Sequence, residues 1–296
     1  MPTEKKTLDS GDIWRTAWTT LRSTAKQTLI LLIFGLILPQ ILLNLVLDVH
    51  SSEVVAQLRA IFTSKMASTD SPVAFRHLLA PALAYFSRLG ACIILMLLLY
   101  LSAFLGLVQT AIDHHRQIPS RGSWHAWLAG LRSTIPAALI MGLTLVILVI
   151  FGQVFIAPAL VVAMLGMLIP VILIAERQGA WRTLWSALTM KYAQGSGFSS
   201  WAVFFNLISL SAFFYTGRAA IGLLSDALLV LDERIGLVRL IWSYNFNGKP
   251  FGPVYLAVML IECALSMTLL AALPALTAAL YFTVRRGGGG RPIAQA

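Results

Sequence analysis

The chain has 296 residues, of which 22 are Lys or Arg and 12 are Asp or Glu. Charged side chains make up 11% of it, against about 25% in a soluble domain, and its mean hydropathy is +0.81. An ordinary soluble protein is excluded, and the net charge of +10 is explained by membrane topology and anionic lipid rather than by nucleic acid.

Residues 28–47, 89–112, 133–175, 192–217 and 263–284 contain no charged side chain, and the middle run is long enough to cross a bilayer twice. A helical crossing takes about 20 residues. The expectation is therefore an all-α integral membrane bundle of six crossings, at about 28–47, 90–112, 136–152, 155–175, 198–224 and 254–284, forming a single membrane domain over 1–286. Pro136 suits the first turn of a helix, Gly152-Gln153 reads as a tight hairpin, and the last segment must tilt, kink at Pro274 or project. The residues from 287 to 296 begin with a glycine run, have no apolar period and read as a disordered tail. No cleaved signal peptide is expected, because the first apolar run spans a full bilayer.

Lys and Arg alternate in density between the two sides. The N-terminal segment, the 113–135 and 176–197 loops and the tail hold 14, the opposite loops hold 7, and Arg218 lies within a crossing. The positive-inside rule then places both termini in the cytoplasm.

Three segments on that side share a pattern. Trp14, Trp18 and Leu21 precede the first crossing, Trp124, Trp127 and Leu131 the third, and Trp181, Trp185 and Leu188 the fifth. At 100° per residue these positions share one face, while Arg15, Arg22, Lys26, Arg182 and Lys191 lie off it. Each segment reads as an amphipathic helix lying in the interface, and the architecture as three units of interfacial helix plus transmembrane hairpin. Ordinary enrichment of Trp and Arg at a membrane surface would give similar local composition. The large outer loops place apolar residues at helical spacing over Ser52–Met66, Pro72–Leu89 and 228–242, as caps over a cavity or as surface helices.

Phe155 to Pro170 to Ala175, then Glu176-Arg177-Gln178-Gly179, then Trp181 to Tyr192 and a further apolar run, resembles the YciC-like family of bacterial inner-membrane proteins. The same order is similar to the membrane domain attached to some glycerophosphodiester phosphodiesterases. The resemblance covers about 155–210. It implies a bacterial cytoplasmic-membrane location and a six-helix fold, and it supplies no catalytic residues.

The motifs of soluble catalysis are missing from the sequence. There is no HExxH, no phosphate-binding GxxxxGK[ST] loop and no GxGxxG after a strand. His114, His115 and His125 read as solvated or headgroup-facing side chains rather than metal ligands, and Gly195-Ser196-Gly197 as a break between helices. Cys92 and Cys263 lie in apolar runs without a CxxC or His-rich neighbourhood, so no metal or cofactor is expected.

Polar residues within the crossings carry the functional hypothesis. Glu262 lies roughly 12 Å and Arg218 roughly 9 Å below the outer surface at 1.5 Å per residue, with Gln40 at comparable depth and Asn44 nearer the surface. Three readings stay open: a structural ion pair, a polar patch lining an outward-facing cavity, or Arg218 snorkelling. Ala271, Ala275 and Ala279 suit close helix packing or a homodimer seam. The function expected is a protein without enzyme activity that binds or moves an amphipathic molecule, lipid above all. The alternatives are a structural or regulatory partner of other membrane proteins and an intramembrane lipid enzyme using Glu262.

Overall fold

The computed structural model describes residues 8–42, 72–119, 122–152, 164–190, 198–235 and 253–287, with 56, 59, 63, 162, 245–246 and 249–250. Helix dominates them. A two-residue antiparallel pairing of Asn245–Phe246 with Lys249–Pro250 is the extended structure among the described residues.

Helix α1 (Ser10–Ser23) starts where the Asp9 carboxylate accepts the Gly11 amide hydrogen at 2.8 Å, satisfying one of the free N–H groups of the first turn. Ile13, Ala17 and Thr20 fall on one face and are buried against the protein, while Trp18 on another face is 69% exposed. The buried stripe is thus a different one from the expected Trp14, Trp18 and Leu21 face, of which Trp18 stays outward. Thr24 leaves helical geometry at φ −103°, and the chain resumes as α2, which runs Ala25–Leu42. Within α2 the stretch Leu31–Ile37 is π-helical, two residues before Pro39, which has no N–H to give to the helical ladder.

Helix α3 (Pro72–His115) is 44 residues long, about 66 Å at 1.5 Å per residue, and so exceeds the roughly 30 Å hydrocarbon core. Pro72–Leu89, expected as a separate loop helix, is the front of this one. The counterpart Ser52–Met66 lies outside the described residues, apart from positions 56, 59 and 63. The helix ends at Gln117, whose φ of 57° is left-handed. There the Ile118 amide donates to the Asp113 carbonyl at 2.9 Å and the Gln117 amide to the His114 carbonyl at 3.0 Å, the paired bonds of a Schellman stop.

Helix α4 (Ser123–Gly152) runs unbroken through Pro136. This corrects the second repeat unit: Ser123–Thr134 continues straight into a crossing and is no separate interfacial helix. The reason is tertiary. The Trp127 indole N–H donates to Ser102 Oγ at 2.9 Å, and Gly130 lies against the backbone of Ser102 and Gly106, so α3 holds the segment in the bundle. Ser102, Gly106 and Thr110 on α3 face Ala126, Gly130 and Thr134 on α4, two small-residue rows at four-residue spacing that let the backbones meet. The hydroxyls of Thr110 and Thr134 donate to the carbonyls of Gly106 and Gly130 in their own helices.

Of the expected fourth crossing, residues 155–161 and 163 lie outside the described residues, as does Gln153 of the expected hairpin. What is described is a short apolar helical segment, Met164–Glu176, in which α5 (Ile169–Glu176) has every residue from Ile169 to Ala175 buried. Arg177, at φ 49°, ends it. Helix α6 (Ala180–Leu188) is then a separate element with Thr183, Leu184, Ser186 and Ala187 buried. Helices α7 (Ser200–Ile235) and α8 (Pro253–Gly287) complete the order. The 228–235 part of the outer loop belongs to α7, and residues beyond 287 in the tail lie outside the described residues.

Among the described residues, five helices are long and apolar enough to cross a membrane: Ala25–Leu42, Phe86–His115, Ser123–Thr144, Ser200–Leu228 and Leu256–Arg286. In none is more than 39% of the most apolar stretch buried inside the protein. Leu29, Phe34, Ile94, Ile135, Leu139 and Phe205 are among the large apolar side chains left outward, which requires an apolar solvent. The chain is a multi-pass membrane protein.

It divides into two compact units. One comprises residues 1–36, 101–222 and 265–296, centred on α5 with Leu105, Ile112, Leu207 and Tyr281. Ala271, Ala275 and Ala279 are buried in it at 4%, 2% and 0% exposure, which makes them bundle packing rather than an exposed seam. The other comprises residues 37–100 and 223–264.

Candidate functional site

In the first unit, the ends of α1 and α3, the starts of α2 and α4 and the turn after α5 enclose a cavity of about 610 Å³. Lys26, Arg116, Arg132 and Arg177 contribute four cations to its wall, His114 and His125 two imidazoles, and Asp113 the single carboxylate. Hydroxyls and amides of Ser23, Thr24, Gln27, Gln109 and Thr110 fill the rest of the polar wall.

Local backbone rules place these groups. The left-handed turn at Gln117 reverses the chain, and Gly122, at φ +88°, brings it into α4 with His125, Ala129 and Arg132 at near-helical spacing. Arg177 sits in the left-handed position that stops α5. Asp113 is held by the Gln109 amide at 2.6 Å, so the one acid is tied to its own helix. The Ser23 hydroxyl lies 3.1 Å from His114 Nδ1, joining the end of α1 to the end of α3.

Arg116 stands apart. Its Nη2 donates to the Ala175 carbonyl at 2.6 Å, in the last turn of α5, where a cation is favoured by the helix dipole. Its Nε is buried and has no hydrogen-bond partner among the described residues.

Behind the pocket a second polar cluster closes the same end. Glu176 accepts from Arg285 at 2.6 Å, from the Tyr281 hydroxyl at 2.8 Å and from the Gln178 amide at 2.7 Å. Arg286 donates to the His115 carbonyl at 2.8 Å. His115 itself is 7% exposed and stacks on Phe282 with centroids 5.0 Å apart, so it is a core side chain and not the headgroup-facing one expected. Among the described residues no three His, Cys, Asp or Glu side chains are grouped to hold a metal.

The expected outer-side patch is partly described. Arg218 Nη1 donates to Ser266 Oγ at 2.8 Å, and Glu262 accepts from the Ser225 hydroxyl at 2.9 Å. The two charges fall in different units. Gln40 is half-buried, and Asn44 lies outside the described residues. Asn206, on α7, accepts from Ser10 at 2.9 Å and so docks α1.

The six tryptophans separate. Trp18, Trp124, Trp181 and Trp185 are 59–70% exposed. Trp14 packs edge-on against Phe213 at 4.7 Å, and Trp127 is bonded into the α3 crossing. Sequence reasoning counted Lys26, Arg116, Arg132 and Arg177 toward topology, with Lys26 also on a polar helix face and Arg177 in the charged turn, and missed the pocket. Its sequence signal is the density of basic residues in the 113–135 loop and the 176–179 turn.

Comparison of the chain with protein-family models, curated proteins and solved structures finds no match.

Proposed function

We propose that this multi-pass protein holds the anionic headgroup of a membrane lipid in the basic pocket, as a binder or carrier and without catalysis. The observation that carries the reading is the convergence of Lys26, Arg116, Arg132 and Arg177 on one cavity of about 610 Å³ at the ends of apolar helices. A phosphate with acyl chains suits that arrangement: charge-assisted hydrogen bonds hold the head, and the outward apolar helix faces accommodate the tails. Trp18, Trp124, Trp181 and Trp185, all strongly exposed, suit the headgroup level.

The topology proposed with it has six crossings, Met164–Glu176 ending the fourth, and both termini in the cytoplasm of a bacterial cell. The pocket then faces the anionic inner leaflet. Membership of a YciC-like group is proposed on the order of α5, the charged turn with Gly179, and α6. Cysteine labelling in intact cells is expected to mark positions 68 and 247 and to spare 120 and 295. External labelling at 295 would reverse the orientation and with it the leaflet.

The binding test is native mass spectrometry of the purified full-length chain in detergent, titrated with dioleoylphosphatidylglycerol or dioleoylphosphatidylcholine. The anionic lipid should be retained preferentially. Each cation near an anionic headgroup contributes about 1 kcal/mol, so Lys26→Gln with Arg132→Gln should weaken retention by about 2 kcal/mol, roughly 30-fold. Equal retention of the two lipids, or no loss in the double variant, would remove the reading.

A further inference from the structure

Building on the lipid-anion reading above, we propose that Arg116 is the residue that reads the phosphate ester itself, exchanging one backbone carbonyl for two phosphate oxygens when a headgroup enters. A guanidinium presents Nε and one Nη as parallel donors, a fork that matches two oxygens of a tetrahedral oxyanion. In the observed arrangement the fork is half used. Nη2 donates to the Ala175 carbonyl, and Nε is buried without an acceptor among the described residues. A buried N–H left without an acceptor is unfavourable, and one carbonyl oxygen cannot serve both arms. A phosphate in the adjoining cavity can.

The neighbouring cations differ in kind. Lys26 is a point charge on a flexible stem, and Lys26, Arg132 and Arg177 are all exposed, so they attract the anion without fixing its orientation. Asp113, held by Gln109, is the one carboxylate in the lining, so the four cations leave the wall positive overall. The Ala175 carbonyl is next in sequence to Glu176, which Arg285 and Tyr281 hold, and two residues before Arg177 in the pocket wall. Movement of Arg116 off that carbonyl links ligand entry to the end of α5. The ligand class this selects is a phosphate mono- or diester on an amphiphile.

The test compares Arg116→Lys, Arg116→Gln and Arg132→Lys in the full-length chain by native mass spectrometry with dioleoylphosphatidic acid. Both Arg116 variants should bind at least about tenfold more weakly, and Arg132→Lys within about twofold of wild type, because the fork matters at one position and charge alone at the other. Wild-type affinity in Arg116→Lys overturns the proposal and leaves the lipid reading standing. Binding of glycerol 3-phosphate as tightly as the lipid upholds Arg116 and overturns the lipid source. Should the Arg116 variants not fold, phenylglyoxal modification of the wild-type chain replaces them. Saturating phosphatidic acid should change the modification of Arg116 together with protection of Arg132 and Arg177, and an unchanged Arg116 overturns the proposal.

Discussion

Gly130→Ala should lower thermal stability in detergent by about 3 kcal/mol, at the upper end of the usual cost of overpacking a well-filled contact. A Cβ at Gly130 would overlap the Ser102 carbonyl oxygen and stand 2.6 Å from the Gly106 nitrogen. Both obstacles are backbone, so no rotamer change relieves the clash, and α3 and α4 must separate. Separation also stretches the Trp127 to Ser102 bond of 2.9 Å and shifts His125 and Arg132, so lipid retention should fall with stability. Gly142, twelve residues along the same helix, has nothing within 4 Å of the corresponding position. Gly142→Ala should therefore leave stability unchanged or raise it by up to about 1 kcal/mol, the helix-propensity gain of Ala over Gly. Equal effects of the two substitutions would mean that the close crossing is not what joins these helices.

Glu176→Gln should cost about 2 kcal/mol, the range for removing hydrogen bonds to a charged group. The Glu176 side chain is 10% exposed and its partner Arg285 42% exposed, so the pair is neither fully screened nor fully desolvated, and the larger penalty of a sealed ion pair does not apply. An amide keeps one acceptor oxygen for Arg285 and Tyr281 but turns an NH2 toward the Gln178 amide, which is itself a donor at 2.7 Å. The double variant Glu176→Gln with Arg285→Met should lose less than the sum of the two single losses, since one partner no longer waits for the other. Strict additivity would show that Glu176 and Arg285 act independently. Because Glu176 lies between the Ala175 carbonyl and Arg177, the single variant is also expected to weaken lipid retention.

Composition and the spacing of charge were enough to set the class of the molecule. Charge-free runs of bilayer length can be satisfied only by helices in an apolar solvent, and the boundary near His115 follows from where charge returns. The Trp-bearing segments at 14, 124 and 181 were legible as helices for the same local reason. Whether each one leaves the bundle was not. Ser123–Thr134 and Ala180–Leu188 share the Trp and Leu spacing, yet only the second is a short helix of its own rather than the start of a crossing, because the contact that holds the first is Gly130 on Gly106, 24 positions away. The positive φ at Gln117 and Arg177 left no trace either, since neither is glycine and each is set by the packing around it. The pocket is the clearest case. Lys26, Arg116, Arg132 and Arg177 come from four segments across 152 positions of chain, and periodicity is a property of neighbours. The distances among these charges are fixed by helix crossings, so only the tertiary structure could bring them to one cavity.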